Sequence, residues 1–210
     1  MRQFKAGTKV KQGSYYAFIP NPINRRLDFA DPELSVLLSK ADQAIGRLDA
    51  FADYVNTDLY ISMHITKEAV ESNRIEGTKT EFTEAFLTAD SIEKGRQDDW
   101  EEVNNYIKAV HHATARLKNF PLSTRLIREA HGILLAGVRG QHKQPGSFRT
   151  SQNWIGGASI ADATFIPPPA HALGSLLSDL EFFINSDEHP IPALLKAAIL
   201  HYQFETIHPF

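Results

Sequence analysis

The chain has 210 residues, 42% of them hydrophobic, enough to bury a core as one domain with an N-terminal extension. Its formal charge of −3 and pI near 6.3 exclude the electrostatic footprint of a non-specific nucleic-acid binder. It has no cysteine, which excludes a disulfide framework and thiolate metal sites and suits a reducing, cytoplasmic compartment. No apolar run approaches the ~20 residues that span a bilayer, and Met1-Arg2-Gln3-Phe4-Lys5 lacks the apolar core of a signal peptide, so no membrane partner is expected.

The first thirty residues are interrupted by proline and asparagine (Ile19-Pro20-Asn21-Pro22) and are expected to form an irregular arm laid over the core. Asp31-Pro32-Glu33 starts a helix, with an N-cap carboxylate followed by proline at the first helical position. Leu34, Leu37, Leu38, Ala41, Ile45, Leu48 and Phe51 continue it at helical spacing. A second helix is expected from about Asp58 to Glu76, closed by Gly77 as its C′ residue. Asp98-Asp99-Trp100-Glu101-Glu102 suits the positive end of a third helix, which Val103, Ile107, Val110 and Leu117 continue. Ser123 caps a fourth, through Leu126, Ile127, Ala130 and Leu134, and a polar, glycine-rich loop follows from Gly137 to Ser147.

The period then changes. Asn153-Trp154-Ile155 and Ala163-Thr164-Phe165-Ile166 are short β-like runs around Gly156-Gly157, ending at Pro167-Pro168-Pro169, and they form the one hairpin expected of this chain. Two more helices follow, about Ala170–Asn185 and Ile191–Thr206. The last has apolar residues on nearly every face, the mark of a central helix wrapped by others. It runs into His208-Pro209-Phe210; proline disfavours the helical conformation in the residue before it, so His208 is expected to be extended. An interior helix ending so abruptly reads as a chain cut within a loop.

Two residues stand out chemically. Ser72 and Glu76 are one turn apart on one helix face, and Glu76 falls in the last turn, where the dipole disfavours negative charge and calls for a cationic or hydrogen-bonding partner. The alternative is a solvated Glu76 with Ser72 bonding back to its own helix. His208 brings an imidazole with a near-neutral intrinsic pKa to a helix exit, where it serves either as a base or as a cap on a carbonyl. His201, two turns earlier, reads as a hydrogen-bonded core histidine, and His111-His112 lacks a third ligand nearby. Arg149 suits an anion contact or a buried ion pair.

Four motifs, in order, carry a family resemblance. Ser72-Asn73-Arg74-Ile75-Glu76-Gly77 resembles the inhibitory motif [ST]xxxE[GN] of Fic proteins, and Ile207-His208-Pro209-Phe210 resembles the opening of their catalytic motif, HPFxxGNGRxxR. Gly146-Ser147-Phe148-Arg149 resembles the GxFR stretch before the flap, and Asn153 through Pro169 resembles the flap itself. The likeness runs from about Pro20 to Phe210, in the order of the subgroup whose inhibitory helix precedes the core.

The resemblance implies an all-α fold: a Fic-type helical core with a small β-hairpin flap, at 98–210, and an N-terminal helical extension at 1–97 whose inhibitory helix is about 58–77. It implies a protein adenylyltransferase that moves AMP from Mg-ATP to a hydroxyl of a target protein held along the flap, compatible with a homodimer. His208 would be the general base beside the nucleotide. Glu76, with Ser72 and Gly77 of its motif, would inhibit by holding the motif's second arginine so that the ATP γ-phosphate cannot seat. No GNGRxxR follows His208-Pro209-Phe210 in these residues, so the backbone amides that cradle phosphate, both arginines and the acidic residue that holds magnesium are missing from them. The 210 residues alone are therefore expected to be inactive. A non-catalytic scaffold holding a peptide through the flap is the alternative.

Overall fold

The computed structural model describes residues 5–188 and 190–210, and the chain divides into two compact units. Among the described residues the α-helices are α1 (Pro32–Ala52), α2 (Thr57–Ile75), α3 (Gln97–Leu117), α4 (Thr124–Leu134), α5 (Leu173–Asn185) and α6 (Ala193–Ile207). The strands β1 (Gly7–Gln12) and β2 (Tyr15–Pro20) pair antiparallel. The all-α class with a small hairpin stands.

One unit comprises Phe29–Phe120 and Arg125–Gly146. Its α1 begins as the sequence requires: the Asp31 carboxylate accepts the backbone N–H of Glu33 at 2.8 Å and of Leu34 at 3.1 Å, with Pro32 behind it. α2 starts from Asn56, whose side chain accepts from the Leu59 amide at 3.0 Å. Ala69 and Val70 of α2 are buried against Val103 of α3 and Ala85, with Tyr106 and Ile107 packed around them. Arg96 and Trp100 tie the stretch before and at the start of α3 to Glu84: Arg96 pairs with its carboxylate at 2.6 Å, and the Trp100 indole donates to its carbonyl at 3.0 Å.

The other unit comprises Met1–Asp28, Pro121–Thr124 and Ser147–Phe210. Leu173, Leu176, Leu177, Leu180 and Phe183 of α5 bury against Ile207 of α6 and Ile23. Burial of side chains this size contributes roughly 1.5–3 kcal/mol each. Here the expected irregular arm is a hairpin. The pairing of Gln12 with Tyr15 leaves Gly13-Ser14 as a two-residue turn, Gly13 at φ +59 and Ser14 outside the positive-φ residues, as a type II′ turn requires. The prolines that suggest an irregular arm fall at the end of β2 and after it.

Conversely, the 153–166 segment is less of a hairpin than expected: one bridge, Ile155 with Phe165, made by the Ile155 amide to the Phe165 carbonyl at 2.8 Å and the Phe165 amide back at 3.1 Å. Gly156 and Gly157, both at positive φ, turn the chain where a Cβ would collide with Thr164 or Asp162. β2 holds this segment from beside: the Phe18 amide donates to the Ile166 carbonyl at 2.9 Å, and the Phe18 and Phe165 rings lie 5.9 Å apart. α6 likewise departs from expectation. It buries only Gln203, Thr206 and Ile207, all near its C-terminal end, while Leu194 and Tyr202 are exposed, so one face of it is covered within these residues. His201 is exposed and no core histidine.

Candidate functional site

Each of the two units brings sequence-predicted residues together at the exit of a helix. In the α5–α6 unit that exit is His208. Its backbone is left-handed, φ 47 and ψ 66, and not extended as the following proline suggested. Proline disfavours the right-handed well for the residue before it, and from the small left-handed one the His208 amide still completes the helix ladder by donating to the Phe204 carbonyl at 2.9 Å. A side chain with a Cβ in that well costs roughly 1–2 kcal/mol, and such conformations persist only where the surroundings over-determine them.

Arg149 supplies that constraint. Its guanidinium donates to the carbonyls of His208 (2.8 Å), Ile207 (3.2 Å), Pro168 (2.6 Å) and Ser151 (3.1 Å), while its backbone amide donates to the Pro209 carbonyl at 2.9 Å. The Arg149 guanidinium is thus engaged by carbonyls, and among the described residues no carboxylate forms an ion pair with it. It is a fork driven into the negative end of α6, where orphan carbonyls and the helix dipole both favour a cation. The Asn153 amide adds donations to the Phe210 carbonyl at 3.0 Å and to that of His208 at 3.4 Å, and the Phe148 ring lies 5.1 Å from that of Phe210. Pro209 is fully buried.

The electrostatics at His208 follow from this packing. Burial holds its imidazole below the usual histidine range; Glu205 pulls it back up, and the Arg149 charge adds to the depression. The ring is therefore neutral near pH 7, the state in which it accepts a proton. On the 153–166 segment, Trp154 and Ile155 are 41% and 39% exposed, whereas Phe165 and Ile166 are half-buried.

In the α1–α4 unit the corresponding exit is that of α2. Glu76 is its C-cap residue (φ −82, ψ 0), and Gly77 follows at φ +98, where a Cβ would meet no atom but the conformation itself favours glycine. The Gly77 amide donates to the Arg74 carbonyl at 3.0 Å and the Thr78 amide to that of Asn73 at 3.1 Å, the two bonds of a Schellman motif. The Ser72 hydroxyl donates to Glu68 at 2.9 Å. Glu76 is exposed.

Arg139 enters the cleft beside Glu76 but pairs with Glu102, so exposed Glu76 takes the solvated alternative and Ser72 bonds back to its own helix. A cleft of about 550 Å³ is lined by Ser72, Asn73, Glu76, Glu102, Tyr106 and Arg139 among others. Arg139 forks onto Glu102 at 2.9 and 3.2 Å, and its pKa is raised by Glu102 first, with Asp99 and Glu76 adding to it. The Tyr106 phenol in the same cleft is raised by burial first and then by Glu68, against the Ser72 hydroxyl. Elsewhere in this unit His112 sits 3.3 Å from Glu129.

Arg139, Asn153 and the clamping role of Arg149 escaped the sequence reading. Spacing along the chain carries no sign of Arg139, 63 positions from Glu76, although the Gly-Ser turn of the first hairpin was there to be seen.

Comparison with known proteins agrees with this architecture. The Fic/DOC family N-terminal profile matches residues 36–115, and the Fic/DOC family profile matches residues 121–210. Together the two Fic/DOC family matches take in most of the chain. Among solved structures it is similar to a Fic family protein from Desulfovibrio desulfuricans G20, at 22% identity and a TM-score of 0.65, covering 89% of this chain and 55% of that one. It is also similar to a Fic domain containing signaling protein from Bacteroides thetaiotaomicron VPI-5482, at 20% identity and a TM-score of 0.61, covering 80% of this chain and 65% of that one. The chain thus spans somewhat over half the length of these two proteins, and at these identities the likeness is one of fold.

Proposed function

We propose that the chain is part of a protein adenylyltransferase in which His208 is the general base and Glu76 the inhibitory residue. The observation that carries the reading is the His208 exit: an imidazole kept neutral by burial, on a backbone held out of the relaxed wells by Arg149. In this reading the target's hydroxyl oxygen attacks the α-phosphorus of ATP, its proton passes to the His208 imidazole, and the bond to the bridging oxygen breaks to release pyrophosphate. A neutral imidazole is the state such a step needs.

The substrate nucleotide is ATP. Magnesium would be its companion, but no group of three or more His, Cys, Asp or Glu side chains converges among the described residues. Beside a nucleotide, magnesium is held by one or two carboxylates with the phosphates and water, and the proposal assigns these residues no metal chemistry. Ser72, Glu76 and Gly77 supply the brake: the Schellman exit presents the Glu76 carboxylate outward at a helix end, available to an arginine of the nucleotide loop. The target protein would lie along the 153–166 segment, whose exposed Trp154 and Ile155 suit an extended backbone beside them.

The test is labelling with ATP carrying an α-phosphate label, in protein continued through GNGRxxR. Glu76→Gly is expected to raise self- or target labelling, and His208→Ala to abolish it; labelling that survives the loss of His208 sinks the reading. The 210 residues by themselves are expected to bind Mg-ATP at least tenfold more weakly than the continued protein, by calorimetric titration.

A further inference from the structure

Residues 7–23 lie ahead of the first family match, which begins at residue 36, yet they are built into the α5–α6 unit at three places. The Phe18 amide of β2 donates to the Ile166 carbonyl at 2.9 Å. The Asn21 carbonyl accepts from the side-chain amide of buried Gln203 in α6 at 3.2 Å. The Ile23 amide donates to the Asp179 carboxylate of α5 at 2.8 Å, and the Ile23 side chain is buried with Ile207 in one apolar cluster. The arm thus grips the 153–166 segment with its hairpin and the helices that carry His208 with the residues just after it.

Phe18 makes the first grip with both its backbone and its ring. In the β1–β2 register it faces Lys9. An antiparallel pair alternates between bonded and non-bonded positions, and Phe18, whose amide goes to Ile166, holds a non-bonded one. Its ring crosses β1 at Gly7, where an added Cβ would stand 2.6 Å from the ring atom Cζ, and reaches the ring of Phe165 at 5.9 Å. Ile155 comes next, its amide and carbonyl both turned inward to Phe165. Hydrogen bonds therefore connect β1, β2, Phe165-Ile166 and Ile155 in that order. β2 covers the Ile166 side of the segment, which leaves the Trp154 side to an extended backbone. The connection also continues to His208: the Pro168 carbonyl, two residues past Ile166, accepts from the Arg149 guanidinium, which donates to the His208 carbonyl as well.

We propose that the β1–β2 hairpin is a strap that positions a target for His208, with Phe18 as its positioning residue. It occupies one edge of the 153–166 segment and holds the other at a fixed place relative to the imidazole, because the arm is anchored on α6 too. What the strap serves rests on the adenylyltransferase reading; the strap itself rests on the bonds above.

Two measurements test these separately. In the 210-residue chain, Phe18→Pro removes the amide without breaking a bond between β1 and β2, and Gly7→Ala displaces the ring. Either change is expected to speed hydrogen exchange of the Ile155 and Phe165 amides about tenfold while leaving those of Leu176 and Leu180 in α5 unaltered. In protein continued through GNGRxxR and carrying Glu76→Gly, both should slow self-labelling from ATP with an α-phosphate label by about tenfold at saturating nucleotide. The half-saturating ATP concentration should move by less than about twofold, because the strap does not touch the nucleotide. Phe18→Tyr, which keeps amide and ring, should recover the labelling rate. Exchange that does not quicken overturns the strap. Quickened exchange with an unaltered labelling rate, where His208→Ala abolishes labelling, overturns its positioning role. Labelling that survives His208→Ala is the failure of the adenylyltransferase reading, and the exchange rates then decide the strap by themselves.

Discussion

The two helix exits solve one problem with different materials. α2 must turn away after Glu76 and uses Gly77, whose missing Cβ makes the left-handed well free of strain, so two ordinary backbone bonds suffice to finish the helix. α6 must turn at the residue whose side chain carries the proposed chemistry, and glycine is not available there. A histidine enters the left-handed well instead, and the strain is offset by Arg149, with five hydrogen bonds from its guanidinium and amide to surrounding carbonyls. The lesson is that a functional side chain at a strained turn needs a second residue whose only task is to hold it. The relaxed exit needs none.

Removing the clamp should give the largest effect. Arg149→Met is expected to cost about 3 kcal/mol or more in urea denaturation, because it leaves several part-buried carbonyls unpaired. Arg149→Lys should recover less than half of it, since an ammonium cannot fork among carbonyls arranged around a plane. A loss below about 1 kcal/mol for the methionine variant would reduce Arg149 to a bystander. At the relaxed exit, Gly77→Ala should cost roughly 1–2 kcal/mol, from backbone strain alone, since the added methyl meets nothing. At His208 the order reverses: His208→Gly should be more stable than His208→Ala by about 1 kcal/mol, and the opposite order would contradict a left-handed exit.

The same contrast was only half legible in the sequence. Gly77 announces its own conformation, and Asp31-Pro32 does so at the start of α1, because capping and left-handed turns are decided by the residue that sits there. His208 is not extended as its sequence suggests, because the rule for a residue before proline disfavours one well without fixing another, and Arg149, 59 positions earlier, holds the one adopted. The first hairpin was missed for the opposite reason: its Gly-Ser turn was local and readable, but Pro20 and Pro22 drew attention to irregularity. α6 looked interior from its composition, yet composition reports what a helix could bury and not what surrounds it. The motifs located the residues; long-range packing decided their conformations.

A smaller, pH-dependent difference should separate the two exits as well. Burial depresses the His208 pKa in the folded state, and does the same to His131 in the other unit. A histidine shifted down favours the neutral form, so its contribution to stability is complete above the unfolded value of about 6.5 and is lost as pH falls from there toward the folded value. Stability by urea denaturation should therefore decline between pH 7.5 and 5.5, and His208→Gln should flatten part of that decline. Gly77→Ala should shift the whole curve without changing its slope.

The most direct measurement is the imidazole titration of His208 by nitrogen-detected NMR, with its resonance assigned by comparison with His208→Gln. The account predicts a midpoint clearly below 6.5, a ring neutral throughout the physiological range, and an upward move of that midpoint when Arg149 is replaced by methionine. A midpoint at or above 6.5 would mean that the ring is solvated and able to carry charge near neutrality, and the assignment of His208 as a packed, neutral base would be wrong.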